Sequence, residues 1–462
     1  MNFSSVLFVF CFLPVILLLY YLIPGKRAKD IILLCASLVF YAFGQPVYMI
    51  LMLFSMLFNY FMAADLNANP DQAKKTASLV FTIVVNLFIL GFFKYYGFLL
   101  DSLGGIFRVS ISHPELSLPI GLSFYTFRNM SYVIDVYKGK TGPAPNLMVF
   151  AVYSTMFPFM TAGPIVRYAD IQEQLMHRTV NLSGIGMGLE SFIKGLAKKV
   201  ILADNLALLF AEVSASAERT VLFTWLGLIA YTLEIYLDFS GYSDMAIGLG
   251  KMFGFDFAKN FDYPYTSSSV TEFWRRWHIS LGSWFRDYVY IPLGGNRVSV
   301  PAHVRNILIV WALTGLWHGA SWNFVLWGIY YGLLLLFEKY VLGRMPYSLP
   351  VWSRRLLTIF AVMIGWVFFS HTGFGDSFRF IGNLFGIGAA GAANGAALYY
   401  LKSNLILILL GIFISMPYPE RWHRKLAVRF PYAAIATDII LLIISVAFMV
   451  AGSYTPFMYQ QF

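Results

Sequence analysis

The chain has 462 residues, of which 59% are hydrophobic and only 12% are charged, and its mean hydropathy is +0.67. A soluble domain carries about twice that charged fraction, so the composition excludes an ordinary soluble protein and predicts an all-α protein that crosses a membrane several times. The net charge is +10. Because no run of like charges resembles a nucleic-acid-binding arm, we expect no nucleic-acid partner and assign the basic excess to cytoplasmic loops and membrane lipids.

The N-terminal apolar run, residues 6–23, is predicted to be a retained membrane helix. No basic residue precedes it and no small-residue cleavage site follows it, whereas Lys26 and Arg27 come soon after it. A signal peptide has the opposite order of charge, so we expect this helix to enter the membrane from outside. The two cysteines, Cys11 and Cys35, lie in apolar segments, so neither a disulfide framework nor a cysteine metal site is expected.

Further apolar segments predict a single membrane domain over residues 1–452 and a tail over residues 453–462. We expect about 11–12 crossings with amphipathic or re-entrant helices between them, since one crossing needs about 20 apolar residues. The last span is predicted over 433–450, after a basic group in 421–429. Because basic residues favour the cytoplasm, this span runs outward and both termini are expected outside.

Two polar features interrupt the apolar segments of the first half. Arg128 and Asp135 are seven residues apart, hence on one helical face. They are predicted either to compensate each other or to line a polar chamber. The segment 156–168 contains two prolines and a glycine, and irregular backbone in a membrane is tolerated only where protein or water lines it. This segment is therefore predicted to be a broken or re-entrant element.

Two further polar groups follow in the middle of the chain. Lys194, Lys198 and Lys199 recur at helical spacing and predict a basic face against anionic headgroups. Asp238 and Ser240 lie in an apolar helical segment, where ionisable groups are costly unless they face a cavity or a partner. We expect both to line a cavity and contact substrate. Asp238 and Asp244 could be metal ligands, but no histidine or further carboxylate stands at ligand spacing from them, so no metal is expected.

The densest polar cluster is residues 271–290, which read TEFWRRWHISLGSWFRDYVY. Its aromatic residues fall on adjacent stripes at helical spacing and Thr271 suits an N-cap, so one helix is predicted over the whole stretch. An interfacial helix with snorkelling arginines would explain Arg275 or Arg276. It explains His278, which stands among aromatic residues, less well.

His318 lies in a second aromatic segment, WALTGLWHGASWN, whose other strongly polar residue is Asn323. Gly315 and Gly319 allow another helix or a ligand to approach the histidine closely. An intramembrane histidine is a candidate functional group, and an imidazole that titrates near neutral pH suits a general base. Two interpretations therefore stand side by side: a catalytic base, or a structural histidine satisfied inside the bundle.

Together these motifs resemble those of one known family. The runs FWRRWHISLGSWFRDYVYIPLGGNR and GLWHG, with YLDFSGYSDMAIGLG and TAGPIVR upstream, are similar to the bacterial membrane-bound O-acyltransferases. The branch resembled is that of the alginate O-acetyltransferases, which is related to the teichoic acid D-alanyltransferases. The resemblance implies a helical bundle around a tunnel, with His318 as the catalytic base at its narrowest point and His278 in support. The substrate-binding residues expected near this tunnel are Trp274, Arg275, Arg276, Trp277, Arg286, Asp287, Trp317 and Asn323.

The resemblance also implies a donor and a partner. In this family a cytoplasmic thioester, here acetyl-CoA, gives up its acyl group. An extracytoplasmic partner of the SGNH type then modifies a polysaccharide. The terminal FMYQQF resembles an aromatic tail whose tyrosine carries the acyl group, which implies Tyr459 as a covalent carrier. An interfacial aromatic anchor is the alternative role for this tyrosine. No permanently bound cofactor is expected.

Two other functions stay open at this stage. D-alanyl transfer to teichoic acid belongs to the related branch of the family. A lipid or glycan transporter would also contain buried charges and broken helices. The paired Trp-His motifs favour the enzyme, which is expected in the bacterial cytoplasmic membrane.

Overall fold

The computed structural model describes residues 1–114, 116–345 and 349–452. Within these residues the secondary structure is helical, as the composition predicts. A π-helix, Phe8–Phe12, leads into the first α-helix. The α-helices are α1 Leu13–Leu22, α2 Lys26–Gly44, α3 Tyr48–Ala68, α4 Gln72–Phe107, α5 Leu122–Tyr137, α6 Leu147–Thr155, α7 Tyr168–His177, α8 Leu182–Ala197, α9 Asp204–Ala215, α10 Val221–Met252, α11 Val270–Arg276, α12 Ile279–Phe285, α13 Val300–His318, α14 Trp322–Tyr340, α15 Val351–Ser370, α16 Phe374–Leu384, α17 Gly395–Ile414, α18 Tyr418–Arg429 and α19 Pro431–Ala451.

Seven of the described helices are long and apolar enough to cross a membrane: α3, α4, α10, α14, α15, α17 and α19. Two shorter apolar stretches, Phe8–Leu22 and Leu147–Phe159, accompany them. The predicted all-α, multi-pass membrane architecture is confirmed, while the predicted number of crossings stays a prediction.

The chain divides into two compact units. The first contains Met1–Phe192 and Ser243–Ala258, and the second contains Ile193–Tyr242 and the described residues 259–452. Both histidines singled out above lie in the second unit, so that unit holds the candidate site.

Polar side chains join the helices of the first unit. Asn59 of α3 and Asn86 of α4 exchange two amide hydrogen bonds, of 3.1 and 2.9 Å. Amide pairs of this kind hold membrane helices together because each partner satisfies the other in an apolar surrounding. Arg128 of α5 donates to the carbonyl oxygen of Ser154 at 2.9 Å, which satisfies part of a guanidinium that is 1% exposed.

The Pro/Gly-rich segment of the first unit is irregular, as predicted. A short 3₁₀ turn, Phe157–Phe159, follows α6, and no regular helix resumes until α7 begins at Tyr168. The residues between are buried. Backbone without helical hydrogen bonds at this depth needs protein around it. Gly121 shows how close that packing is, since a methyl group there would lie 2.1 Å from the carbonyl oxygen of Met160.

In the second unit, α13 and α14 pack as a close antiparallel hairpin. A methyl group added at Gly315 would lie 2.1 Å from the carbonyl oxygen of Phe324, and one at Gly328 would lie 2.2 Å from that of Trp311. Small residues at such crossings let two membrane helices approach to backbone contact. Gly315, near His318, therefore serves the packing of α13 on α14. The sequence allowed the close approach of either a helix or a ligand, and here a helix approaches.

We expect Gly315→Ala to destabilise the protein by about 1–3 kcal/mol, because the added methyl group overlaps the backbone of α14. The measurement is the thermal unfolding midpoint of the purified protein in detergent. Gly375→Ala is the matched control, since Gly375 lies in α16 with nothing within 4 Å of an added methyl group. Equal midpoints for the two variants would contradict the packing role of Gly315.

A basic amphipathic helix, α18, separates two of the candidate spans. Three residues separate it from the end of α17, and α19 begins two positions after it ends. His423 of α18 lies 3.1 Å from Asp438 of α19 and 3.1 Å from the ammonium of Lys194. Arg421, Arg424, Lys425 and Arg429, the basic group that the sequence singles out, are exposed on this helix. Such a helix suits the boundary between membrane and water.

Candidate active site around two histidines

The stretch 271–290 forms two short helices, which corrects the prediction of one continuous helix. Helix α11 ends at Arg276, α12 begins at Ile279, and His278 between them has a left-handed backbone with φ = 42°. The helix breaks here because the N–H of Ile279 donates to the carbonyl oxygen of Asn260 at 2.9 Å, outside the helix. The predicted N-cap Thr271 is also wrong. Ser269 caps α11, with its hydroxyl oxygen accepting from the N–H of Glu272 at 2.9 Å.

Helix α11 has a second anchor at its N-terminus, contributed from far along the chain. The carboxylate of Glu338, in α14, accepts from the N–H groups of Val270 and Thr271, the latter at 2.8 Å. It also accepts from the hydroxyl of Thr271 at 2.6 Å. Carboxylates are favourable at helix N-termini because the first N–H groups have no partner within the helix. Glu338 therefore fixes the helix that leads into His278.

His278 is enclosed by aromatic rings and is 2% exposed. Its ring meets Phe239 edge to face with centroids 4.7 Å apart, stacks on Phe261 at 6.4 Å, and lies 5.8 Å from Trp317. Its Nδ1 atom lies 3.1 Å from Oδ1 of Asn260. Such an enclosure fixes the ring plane, and the amide of Asn260 fixes the rotation within that plane.

His318 is the last residue of α13 and is likewise 2% exposed. Its ring packs edge to face on Trp327 at 5.0 Å and on Phe369 at 5.1 Å. Trp317 contacts the rings of both histidines, at 5.8 Å from His278 and 4.9 Å from His318. The structure thus brings the two histidines, 40 positions apart in sequence, to the same tryptophan.

Trp274 of α11 and Trp277, which directly follows α11, form part of an aromatic wall beside the histidines. Trp274 packs on Trp311 at 4.7 Å and on Tyr331 at 4.8 Å, while Trp277 packs on Trp366 at 4.8 Å and is 1% exposed. In the described part of the chain, the buried indole nitrogens of Trp274 and Trp327 have no hydrogen-bond partner. Each of these two N–H groups can donate a hydrogen bond to a bound molecule.

The charged residues predicted to line the approach differ in what they contact. Arg276 donates to the carboxylate of Glu272 at 2.5 Å and to the hydroxyl of Thr266 at 3.2 Å, so it braces α11. Arg286 makes two hydrogen bonds to the adjacent Asp287, at 2.7 and 3.1 Å. Arg275 is exposed. Among Arg275, Arg276, Arg286 and Asp287, only the arginines at 275 and 286 are exposed. Their guanidinium groups can therefore contact an anionic ligand.

Asp238 belongs to a buried ion cluster. The ammonium of Lys199 lies 2.8 Å from Asp238 and 2.8 Å from Asp204, and the side chains of Lys199 and Asp238 are 3% and 4% exposed. This corrects the prediction that Lys199 faces lipid headgroups. Lys199 lies in a π-helical turn, Lys198–Ala203, which rotates it inward, and a buried ammonium needs partner charges. Ser240 is 2% exposed, and its hydroxyl has no partner in the part of the chain described.

Asn323 holds the loop after His318 in place. Its amide nitrogen donates to the carbonyl oxygen of His371 at 2.5 Å and to the hydroxyl of Ser377 at 3.1 Å. Both amide protons are thereby used, so the side chain joins the start of α14 to the turn after α15. Its predicted substrate contact would have to use the amide oxygen. Tyr459, the predicted carrier, lies outside the described residues.

Sequence reasoning missed Asn260, Glu338 and Lys199 as parts of the site. Asn260 lies in an irregular segment without periodicity, and Glu338 ends an apolar span where a charged residue is ordinary. The partner of Asn260, His278, lies 18 positions away in sequence, and Val270, a partner of Glu338, lies 68 positions away. A pattern of helical spacing reports only neighbours on one helix, so the sequence carries no local signal for these contacts.

The fold and the site define a multi-pass, all-α membrane protein with two enclosed histidines that contact one tryptophan. The model of the membrane-bound O-acyltransferase family matches residues 141–374, which include both histidines, and the chain belongs to this family. It is therefore an O-acyltransferase. The probable alginate O-acetylase of Pseudomonas aeruginosa is 40% identical over 95% of this chain and 85% of that protein. The peptidoglycan O-acetyltransferase of Helicobacter pylori is 30% identical over 100% and 97% of the two chains. The teichoic acid D-alanyltransferase of Bacillus subtilis is 27% identical over 55% and 69%.

Proposed function

We propose that this enzyme takes an acetyl group from cytoplasmic acetyl-CoA and relays it outward for the O-acetylation of a cell-surface polysaccharide. The observation that carries the proposal is the extent of similarity to a probable alginate O-acetylase, 40% identity over 95% of the chain. A second relative at nearly full length is named for peptidoglycan O-acetylation. The D-alanylating relative matches only 55% of this chain, so acetyl is the favoured group.

In this proposal His318 is the base of the acyl transfer. A hydroxyl nucleophile loses its proton to the imidazole as its oxygen attacks the thioester carbonyl; the C–S bond then breaks and the thiolate takes up the proton. The enclosure of His318 by Trp327 and Phe369 excludes water, which protects the thioester from hydrolysis. The indole N–H of Trp327 is a hydrogen-bond donor beside the same ring, suited to a carbonyl oxygen that gains negative charge.

The donor is proposed to bind from the cytoplasmic side of the bacterial inner membrane. The basic face of α18 supports this orientation, since basic loops favour the cytoplasm. Helix α19 then runs outward, and both termini lie outside. The acceptor side would be served by an SGNH-type partner, and the choice of polysaccharide would belong to that partner. The exposed guanidinium of Arg275 is suited to the phosphates of CoA.

Tyr459 is proposed to carry the acetyl group between donor and acceptor. The eight residues that follow Ala451, the last residue of α19, could extend at most roughly 28 Å, which is comparable to the hydrocarbon thickness. A phenol is a weak nucleophile at neutral pH and needs a base. The carrier role therefore depends on His318 as well as on the tail.

Isotope-labelled acetyl-CoA tests the donor and the carrier together. In proteoliposomes we expect mass spectrometry to find one labelled acetyl group on the peptide that contains Tyr459, and no D-alanyl group on it when a D-alanyl carrier thioester replaces acetyl-CoA. The Tyr459→Phe variant should lose the label. Tyr432→Phe is the matched control, because Tyr432 is an 86% exposed tyrosine of α19.

The outcomes separate the two parts of the proposal. Consumption of the D-alanyl thioester, with acetyl-CoA left intact, would make the acetyl donor wrong. Acetyl transfer that continues in Tyr459→Phe would leave the donor standing and remove the carrier.

A further inference from the structure

Asn260 is in direct contact with the side chain and the backbone around His278. It lies in the irregular segment before α11 and is 1% exposed. Its Oδ1 atom lies 3.1 Å from Nδ1 of His278, 3.2 Å from the backbone N of Ser280 and 2.9 Å from the Ser280 hydroxyl. Its carbonyl oxygen accepts from the N–H of Ile279 at 2.9 Å.

These contacts determine which nitrogen of His278 carries the proton. A backbone N–H can only donate, so the side-chain atom of Asn260 that faces Ser280 must be the amide oxygen and not the nitrogen. The Ser280 hydroxyl lies 3.5 Å from Nδ1 but only 2.9 Å from the amide oxygen, to which it donates. An amide oxygen can only accept, so Nδ1 of His278 must donate to it. A neutral imidazole has one N–H. Its proton is therefore on Nδ1, and Nε2 has the lone pair.

The imidazole is neutral under ordinary conditions. His278 lies in the turn between α11 and α12, outside the candidate spans, and burial lowers the pKa of His278 to about 3. A neutral ring with one fixed N–H keeps a constant direction for its lone pair.

We propose that Asn260 is a positioning residue that holds His278 in the Nδ1–H tautomer, so that Nε2 accepts a hydrogen bond from an amide N–H of the bound acyl-CoA while His318 takes the proton of the attacking hydroxyl. The proposal rests on the acyl transfer proposed above and assigns His278 an acceptor role beside the base His318. Asn260 fixes the ring by its side chain and the left-handed turn at φ = 42° by its carbonyl group. A non-glycine residue in this left-handed region is strained, and the bond to Ile279 offsets that strain.

The ¹⁵N spectrum of histidine-labelled protein in lipid nanodiscs tests the tautomer. The chain has seven histidines, and the signal lost in His278→Gln identifies the one required. We expect a protonated Nδ1 and an unprotonated Nε2. Asn260→Leu should convert this signal into a mixture of tautomers, whereas Asn260→Asp, which keeps the acceptor oxygen, should retain it. A wild-type spectrum with the proton on Nε2 would overturn the proposal without any variant at Asn260.

Kinetics test whether the tautomer matters to catalysis. We expect Asn260→Leu to lower kcat by about 10–100-fold with little change in KM, in the range seen when residues that orient a functional histidine are removed. Asn260→Asp should recover most of that loss. Asn306→Leu is the matched control, since Asn306 is 0% exposed and its amide bonds only the carbonyl oxygens of Leu293 and Gly295 and the adjacent Arg305.

The outcomes distinguish this inference from the proposed function. An unchanged kcat in Asn260→Leu, or an equal loss in Asn306→Leu, would overturn the positioning role. If wild-type protein shows the Nδ1–H tautomer but does not consume acetyl-CoA, the donor assignment fails while the tautomer assignment stands.

Discussion

Replacing His318 with glutamine is expected to lower acetyl transfer by about 10²–10⁴-fold, the usual contribution of a general base. Glutamine keeps a side chain of similar length between Trp327 and Phe369 but has no nitrogen that can accept a proton. Because the ring is 2% exposed, alanine at this position would also leave a cavity, and a loss of activity would then mix catalysis with stability. The measurement is release of the CoA thiol by purified protein in nanodiscs.

His303→Gln is the matched control for this experiment. His303 lies on the same helix α13, is 4% exposed, and bonds the hydroxyl groups of Tyr290 and Tyr340 at 3.0 and 2.9 Å. It is about 22 Å from His318 along the helix, at 1.5 Å per residue. Folded His318→Gln protein that keeps more than a tenth of the wild-type rate would exclude the base role. A loss in both variants would point to helix α13 itself.

Replacing Lys199 with methionine is expected to destabilise the protein by about 3–5 kcal/mol. The change leaves the carboxylates of Asp238 and Asp204 without the ammonium that lies 2.8 Å from each. Removing one partner of a buried ion pair costs this much because the remaining charge stays buried without compensation. The measurement is the thermal midpoint in detergent, read alongside the yield of folded protein.

Two further variants isolate the contribution of the charge. Lys198→Met changes the neighbouring, half-buried lysine and is expected to shift the midpoint much less. Adding Asp238→Asn to Lys199→Met removes both charges of one pair and should restore part of the lost stability, as in a double-mutant cycle. Additive losses from the two substitutions would show that Lys199 and Asp238 do not stabilise each other.

The sequence could predict those features that depend on local pattern. The apolar run over 433–450 located the last candidate span, α19, and two prolines with a glycine located the irregular segment before α7. Aromatic spacing identified α11 as a helix but could not show that it ends before His278. The break depends on a bond from Ile279 to Asn260, and nothing in the helical period reports a partner in another segment.

Lys199 illustrates the same limit for charge. Three lysines at helical spacing are ordinary for an interfacial helix, and Lys194 does stay near the basic helix α18 through its contact with His423. The π-turn after α8 rotates Lys199 toward Asp238 of α10. A π-turn has no reliable sequence signature, because it is one additional residue in an otherwise helical pattern.

The anchor that Glu338 gives to α11 has a consequence for biosynthesis. A helix of seven residues, Val270–Arg276, is not stable by itself, and Glu338 is synthesised 68 positions after Val270. At about 5–20 residues per second that interval is roughly 3–14 s. During that interval the Trp-Arg-Arg-Trp-His segment, residues 274–278, lacks the contact between Glu338 and the N-terminus of α11. We expect the active site to be completed only after α14 has entered the membrane, so that a ribosome stalled before Glu338 holds a chain that cannot yet consume the donor.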